Sequence, residues 1–173
     1  MELLECVVTV EDVDAFVERL GAIGDDHGVT VQAFDARYVV DRTHLARAVE
    51  LADRAIARGE NVARDRAVEV LCYAAGRRQI DRALEMGVSA GERPAVVLVD
   101  APGTGSTDAT AAERAAVEAV ESTPALRPVE TLGEFDPGRV RAFFDVSEAE
   151  LATVDGDLAA LVHERVALLD VEK

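Results

Sequence analysis

The chain has 173 residues, of which 49% are hydrophobic and 30% are charged, and its formal net charge is -16. This length supports one sizeable hydrophobic core, and the apolar residues are too numerous for a disordered chain and lie in runs too short to span a membrane. Two cysteines and three scattered histidines lack the spacing of a zinc site, a disulfide framework or a catalytic triad, so we expect no metal and no cofactor.

The charge is unevenly distributed along the chain. Acidic residues outnumber basic ones by 34 to 18, an excess typical of halophilic proteins. Residues 37–82 are the exception, because they hold ten arginines and seven acids and so carry +3. A basic segment in an acidic protein indicates contact with a polyanion, although arginines on solvated helix faces would give the same count. Glu2 and Glu5 interrupt any N-terminal targeting segment, so a cytoplasmic location without membrane contact is expected.

The isolated cysteines and histidines are interpreted as structural residues. Cys6 and Cys72 have no close ligand partner and are expected in the core. His27, His44 and His163 are expected on the surface or at helix ends.

The N-terminal part of the chain predicts strands with one helix between them. The valine-rich residues 3–10 predict a strand, and the acids that follow favour a helix over residues 11–20. Glycines and aspartates in residues 21–28 predict a turn. The alternating residues 29–34 predict a second strand, and residues 38–40 a third.

The middle of the chain predicts three consecutive helices. Residues 43–58 carry apolar side chains at helical spacing and predict an amphipathic helix that Gly59 ends. Two shorter helices are predicted over residues 65–75 and 79–86, with Gly76 between them.

A glycine-rich loop at residues 102–107 is similar to a phosphate-binding loop, because glycines let backbone amides approach an anion. The lysine that such a loop requires is missing. Thr110 and Glu113 instead predict a capping box, so we interpret the stretch as a surface loop that leads into a helix.

The C-terminal half predicts two more strands and two helical regions. The apolar run at residues 95–100 predicts a central strand, and residues 126–132 a further strand. Helices are predicted at 136–144 and, after a serine-glutamate capping box, at 147–169. This irregular order of elements predicts a single domain over residues 1–173 with a mixed α/β fold, in which a mainly antiparallel sheet is packed with helices.

Six groups of residues follow one another in the order of a known family. They are His44-Leu45, Arg58-Gly59-Glu60-Asn61, Glu69-Val70-Leu71, Gly76-Arg77-Arg78-Gln79-Ile80, Ala83-Leu84 and Glu164-Arg165-Val166-Ala167-Leu168-Leu169. With these groups the chain resembles the PRPK-binding protein family, the smallest core subunit of the KEOPS complex. It departs from the family pattern at Ala63, where a capping serine is usual, and in the loop at residues 101–108.

The resemblance implies a mixed α/β protein that is not itself an enzyme. It implies a direct partner, the kinase-like ATPase subunit of KEOPS, and indirect contact with the other KEOPS subunits. It also implies capture of the single-stranded tRNA 3′ end for threonylcarbamoyladenosine modification.

The resemblance implies that the basic segment, residues 37–82, binds tRNA. Single-stranded RNA ends are held by phosphate contacts and by stacking on aromatic rings or guanidinium planes. Gly76 would let the backbone turn, which would place two arginines near the free amides of the next helix. The candidate tRNA-binding residues are Tyr73, Gly76, Arg77, Arg78 and Gln79.

A structural role for these arginines is the alternative. Arg77 or Arg78 would then pair with Asp81 or Glu69 and fix the helix junction. Ile80 and Leu84 are expected in the core.

The C-terminal helix carries more apolar residues than a narrow buried stripe requires. Part of it is therefore a candidate docking face for the ATPase, and the alternative is that all five of these residues belong to the core. The candidate partner-binding residues are Leu158, Leu161, Val162, Val166 and Leu169.

Parts of the sequence are also consistent with two other functions. Residues 62–86 also predict a helix-turn-helix, for which a basic segment would suit DNA. A small-molecule enzyme is less favoured, because no acid, base and nucleophile converge in the sequence.

Overall fold

The computed structural model describes residues 1–103, 106–155 and 157–171. The chain forms two compact units, each built from two chain segments. The first unit comprises Met1–Ala36 and Gly87–Thr131, and the second comprises Arg37–Met86 and Leu132–Lys173. The expectation that residues 1–173 form one domain stays a prediction.

Strands and helices alternate irregularly, as the sequence predicts. In chain order they are β1 (Glu2–Val10), α1 (Val13–His27), β2 (Thr30–Asp35), α2 (Arg42–Arg58), α3 (Arg66–Ala74), α4 (Ile80–Ala83), β3 (Gly91–Asp100), α5 (Thr107–Glu121), β4 (Leu126–Pro128), α6 (Pro137–Phe143), α7 (Glu148–Thr153) and α8 (Leu158–Leu168). Short 3-10 helices occupy Ala36–Tyr38 and Leu84–Met86. None of the helices in the described residues is long and apolar enough to cross a membrane.

The first unit is an antiparallel sheet with two helices against it. The strand order is β2-β3-β1-β4, and every neighbouring pair is antiparallel. β1 alternates, so that Leu4, Cys6, Val8 and Val10 form a buried face with the apolar sides of α1 and α5. β3 is buried continuously over residues 95–100, which explains its unbroken apolar run. The predicted mixed α/β fold with an antiparallel sheet is confirmed.

The predicted turn at residues 21–28 is wrong, because α1 continues to His27. Gly28 ends the helix with a left-handed φ of 67°. Gly24 lies inside the helix, where an added Cβ would be 2.7 Å from the carbonyl oxygen of Val29. This glycine allows the close approach of the chain after the helix, and it does not break the helix.

The predicted capping box of α5 is also wrong. Ser106 is the N-cap, and its side chain accepts a hydrogen bond from the Ala109 amide at 3.1 Å. Glu113 is buried, and its carboxylate accepts from the Ala101 amide at 2.9 Å. Within the loop at 102–107, residues 104 and 105 lie outside the described residues.

Strand β4 ends at Pro128, four residues before its predicted end. The residues after Pro128 are fixed by hydrogen bonds that involve side chains, and not by strand pairing. The Thr131 amide donates to the Glu5 carboxylate at 2.6 Å, and the Thr131 hydroxyl donates to the Ala95 carbonyl at 3.0 Å.

In the part of the second unit that the structure describes, all regular elements are helices, and α2 packs against α3 and α8. Asp41 caps the start of α2, and Gly59 ends the helix with φ 69°, as predicted. The predicted strand at residues 38–40 is wrong. A 3-10 helix ends at Tyr38, and the next residues lead directly into the extended cap residue Asp41.

The C-terminal helices begin where the sequence predicts. Asp136 caps α6, and Ser147 and Glu150 form the predicted capping box of α7. The last helical region is two helices, because Asp155 adopts a left-handed φ of 53° between α7 and α8.

Candidate functional site

The candidate site is centred on the turn between α3 and α4. Gly76 has a φ of 59°, its amide donates to the Tyr73 carbonyl, and the Arg77 amide donates to the Cys72 carbonyl, both at 3.0 Å. This pair of bonds is a Schellman motif, which requires a left-handed residue. The structure confirms that Gly76 lets the backbone turn here.

Arg77 is a capping residue for the end of α6. Its Nη2 donates to the Phe143 carbonyl and to the Asp145 carboxylate, the latter at 2.9 Å. Its guanidinium carbon lies 5.5 Å from the centroid of the Phe143 ring. A cation at a helix C-terminus is stabilising, because the last carbonyls have no partner within the helix. The predicted pairing of Arg77 with Asp81 or Glu69 is wrong, while a structural role for Arg77 is confirmed.

Arg165 donates a hydrogen bond to the next carbonyl at the C-terminal end of α6. Its Nε donates to the Phe144 carbonyl at 3.3 Å, and its Nη2 donates to the Glu150 carboxylate. The Ser147 amide and Arg165 together lower the pKa of Glu150 to about 2. Two arginines distant in sequence therefore fix the connection between α6 and α7.

Arg78 and Gln79 are the accessible residues of this turn. Arg78 is half-buried, and it makes no hydrogen bond or ion pair within the described residues 1–103, 106–155 and 157–171. Gln79 is exposed and precedes α4 without a side-chain cap bond. Tyr73, in contrast, is only 2% exposed, so the structure corrects its assignment as a stacking residue. A ring buried to this degree has no free face for a base.

Most arginines of the basic segment are engaged within the protein. Arg66 makes two bonds to Asp53, at 2.7 and 2.9 Å, and Arg47 and Arg54 both pair with Glu50. The arginines of this segment whose side chains have no such partner among the described residues are Arg64, Arg78 and Arg82. Among the described residues of this segment, the guanidinium groups that are available to an external anion are thus those of three arginines.

A pocket of about 450 Å³ opens between α4 and α6, beside this turn. Phe143, which Arg77 contacts, lies in its wall. Its other principal lining residues are Tyr38, Arg82, Glu85, Asp136 and Arg139. Sequence reasoning missed the pocket, because its walls come from chain segments about one hundred residues apart and no local motif links them.

Tyr38 is the centre of the pocket's hydrogen bonds. Its hydroxyl donates to Glu85 Oε1 at 3.0 Å and accepts from Arg139 Nη1 at 3.3 Å. Burial raises the pKa of Tyr38, the Glu85 carboxylate adds to this, and Arg139 opposes it. The tyrosine therefore stays protonated at neutral pH and acts as a fixed hydrogen-bond donor.

His44 lies in the first turn of α2 and is buried, so the expectation that it is a surface residue is wrong. Its Nε2 lies 2.7 Å from the Ala74 carbonyl, and its Nδ1 accepts from the Val40 amide at 3.4 Å. Because a carbonyl only accepts, the proton is on Nε2. Burial lowers the pKa of His44 to about 4.

The other lone side chains are placed as follows. Cys6 and Cys72 are buried, as predicted. His163 lies 3.0 Å from the Asp41 carboxylate. Leu84 is 52% exposed, so its assignment to the core is wrong, and Ile80 is half-buried.

The candidate docking residues of the C-terminal helix are all in the interior. All five are at most 7% exposed, so the premise of an uncovered apolar patch at these positions is wrong. They are Leu158, Leu161, Val162, Val166 and Leu169. The apolar residues exposed at this end of the chain are Leu168 and Val171. Where a partner docks stays a prediction.

The helix-turn-helix alternative is contradicted by the length of α4. This helix has four residues, which corresponds to about 6 Å at 1.5 Å per residue. A recognition helix must reach along the major groove and present several side chains to base edges. A single turn cannot do so.

Comparison with known families identifies a family that matches most of the chain. The model of the family described as "Kinase binding protein CGI-121" matches residues 9–170, which is nearly the whole chain. A search of curated proteins found no match.

Proposed function

The chain belongs to the kinase binding protein CGI-121 family, and from this membership we propose that it is the non-catalytic KEOPS subunit that binds the complex's kinase-like ATPase. In this role it supports threonylcarbamoyladenosine modification of tRNA in the cytoplasm and contacts the other KEOPS subunits indirectly. The observation that carries the proposal is the family match over residues 9–170, together with the spaced residue groups around Gly76.

The tRNA 3′ end is proposed to contact the turn after α3. Arg78 supports this assignment, because its guanidinium has no ion-pair partner in the described parts of the chain. Arg77 supports it indirectly, by fixing the turn against α6. Arg78 is therefore the proposed contact residue, and Arg77 and Gly76 are positioning residues.

The ATPase contact is proposed for surface residues of the same chain, and not for the five buried residues of α8. Leu168 and Val171 are exposed on the C-terminal side of that helix. The ion pair between Arg54 and Asp170, 3.3 Å long, ties this part of the chain to α2. Two exposed apolar residues at this end of the chain would suit contact with a protein partner.

Affinity capture of the full chain from its native cytoplasm tests the proposal. Copurification of a kinase-like ATPase together with tRNA is the expected result. Recovery of the chain without either, from cells in which both are present, would contradict the assignment.

The RNA contact is tested with a pair of arginine variants measured in binding to intact and 3′-trimmed tRNA. Arg78→Ala should weaken binding of intact tRNA, and trimming should then make little further difference, because both changes delete one interaction. Arg64→Ala is the matched control, since Arg64 is an exposed arginine of the same segment without an ion pair among the described residues. Additive losses from Arg78→Ala and trimming would show that Arg78 does not meet the 3′ end.

Binding measured at high salt separates a direct arginine contact from long-range electrostatic attraction. At molar ionic strength the Debye length is about 3 Å, so that only short-range contacts survive. A difference between Arg78→Ala and Arg64→Ala that persists in molar salt therefore reports a direct guanidinium contact.

A further inference from the structure

A groove of about 660 Å³ lies in the first compact unit, between the start of α1 and the connection from α5 to β4. Its floor is apolar, because Val10 and Phe16 line it and are only 2% and 7% exposed. Ala15, Pro124 and Ala125 extend the apolar lining along the two sides. An apolar floor that stays open to solvent is suited to contact with another molecule.

Internal hydrogen bonds fix both walls of the groove. On one side, the Asp12 carboxylate accepts from the Ala15 amide at 3.0 Å and so caps α1. On the other side, the Thr9 amide donates to the Ala125 carbonyl at 2.8 Å, which ties the connection before β4 to β1. A bound molecule would therefore meet a surface that needs little rearrangement.

Arg19 lines the groove and is available to an external anion. It is the only arginine or lysine among residues 1–36. Its helical neighbours three and four positions away are apolar, so no acid is placed to pair with it along the helix. They are Ala15, Phe16, Ala22 and Ile23. The exposed guanidinium makes no hydrogen bond or ion pair with any described residue.

Two carboxylates line the groove at the start of α1. Glu11 is exposed and makes no hydrogen bond or ion pair in the described part of the chain, and Asp12 caps the helix through Oδ1 alone. Asp12 and Arg19 are seven residues apart, which is roughly 10 Å along the helix at 1.5 Å per residue. The groove is therefore negative at one end and positive at the other, with an apolar floor between them.

An extended peptide in the polyproline II conformation spans this separation. Such a chain rises by about 3.1 Å per residue with three residues per turn, so residues three positions apart lie about 9 Å apart on one face. Proline-rich segments of this kind bind in grooves lined by aromatic residues, and Phe16 supplies an aromatic ring here. A free amino acid is too short, because its ammonium and carboxylate groups are attached to the same carbon atom.

We propose that this groove binds an extended segment of a partner protein, in which a basic residue meets Glu11 and Asp12 and an acidic residue three positions away meets Arg19. The site lies in the first unit and goes beyond the proposed RNA and ATPase contacts, which involve residues of the second unit.

The test measures binding of labelled peptides to the full chain by fluorescence anisotropy. The probes share one flanking sequence and differ at the centre, which is Lys-Pro-Pro-Glu, Glu-Pro-Pro-Lys, Lys-Pro-Pro-Lys or Gln-Pro-Pro-Gln. One of the two probes with opposite charges should bind at least about tenfold more tightly than the glutamine probe, because it pairs with both ends of the groove. Both orders are used, since the charges alone leave the chain direction open.

Arg19→Glu should change this preference. It places acids at both ends of the groove, so it should weaken the best probe by at least about tenfold and make Lys-Pro-Pro-Lys the tightest ligand. Arg114→Glu is the matched control, because Arg114 is an exposed arginine of α5 without a partner among the described residues and does not line the groove. The control should change each affinity by less than about twofold, since it alters only the long-range field. Circular dichroism checks the folding of each variant, and Glu11→Lys supplies a second loss of affinity if Arg19→Glu does not fold.

Four outcomes would overturn the proposal. Equal affinity of the charged and glutamine probes for the unaltered chain is one, and a probe preference that Arg19→Glu leaves unchanged is another. Binding of ε-aminocaproate that depends on Arg19, without binding of any peptide, would make the groove a site for a small dipolar molecule. Loss of ATPase copurification in Arg19→Glu would place the ATPase in this groove in place of a separate partner. The proposed function is tested independently, by the tRNA and ATPase measurements.

Discussion

Arg77 and Phe143, which are 66 residues apart, are joined twice, because the Arg77 guanidinium donates to the Phe143 carbonyl and also lies 5.5 Å from the centroid of the Phe143 ring. One side chain thus connects the turn after α3 to the end of α6. Arg78, the next residue, has no hydrogen-bond or ion-pair partner in the described ranges. Neighbouring arginines of the same motif therefore differ in their contacts within the protein.

Replacement of these two arginines should separate stability from binding. Arg77→Ala should lower the free energy of unfolding by about 1.5–3 kcal/mol, since it removes charged hydrogen bonds to a helix end. Arg78→Ala should change it by less than about 0.5 kcal/mol. Urea denaturation of both variants measures the difference, and equal effects would contradict the capping role of Arg77.

Two glycines of α1 should respond to alanine in opposite directions. Gly24→Ala should destabilise the protein, because the added Cβ would lie 2.7 Å from the Val29 carbonyl oxygen. Gly21→Ala should stabilise it by up to about 1 kcal/mol, since an added Cβ would meet no atom within 4 Å beyond the helix's own nearby backbone and alanine favours the helix. Thermal unfolding gives both signs. A stabilising Gly24→Ala would show that the chain after the helix can move away.

The C-terminal residues offer a matched test of core and surface. Leu161→Ala should cost about 2–5 kcal/mol, because Leu161 is 4% exposed in the interior. Val171→Asp should leave the free energy of unfolding nearly unchanged, because Val171 is 76% exposed. If the ATPase docks at this end of the chain, Val171→Asp should reduce its copurification from a folded protein. An unchanged stability of Leu161→Ala would contradict the core assignment.

His44 should make stability depend on pH in mildly acidic solution. Burial is the main cause that lowers its pKa from 6.5 to about 4, His163 adds to the effect, and Asp41 and the Ala74 carbonyl oppose it. Between these two pKa values the unfolded chain binds a proton that the folded chain does not, so stability falls as the pH falls from about 6.5 to 4. The slope contributed by His44 is at most about 1.4 kcal/mol per pH unit.

Urea denaturation at several pH values from 7 to 4 measures this slope. Carboxylates also titrate near the lower limit, so the relevant comparison is with His44→Gln. The variant should be less stable at pH 7 and should lose less stability on acidification. Parallel curves for the two proteins would show that His44 is not the titrating group.

The elements that the sequence predicts well are those determined by local patterns. The apolar periodicity of α2, with Gly59 after it, and the continuous run of β3 both describe burial directly. The capping box at Ser147 is likewise a local hydrogen-bond pattern. Gly76 predicts that the backbone turns at the end of α3, and the structure has a left-handed turn there.

The sequence could not predict features that depend on distant neighbours. The glycines before β2 have the spacing of a turn. Gly24 instead lies inside α1, where the close approach of Val29 leaves no room for a Cβ. Arg77 pairs with Asp145, which is 68 residues away, so the prediction that it pairs with a nearby acid is wrong. The contact between Tyr38 and Arg139 spans 101 residues and leaves no local signal.

The pairing of β1 with β3 has a consequence for synthesis of the chain on the ribosome. β1 is made first, yet its longest pairing is with Gly91–Asp100, so roughly 80 residues must follow before that partner exists, which takes about 4–16 s at about 5–20 residues per second. Neither compact unit is contiguous, since each is completed by a segment from the second half of the chain. The nascent chain therefore carries a valine-rich strand with no partner for several seconds, and a chaperone that shields such strands should raise the yield of native protein.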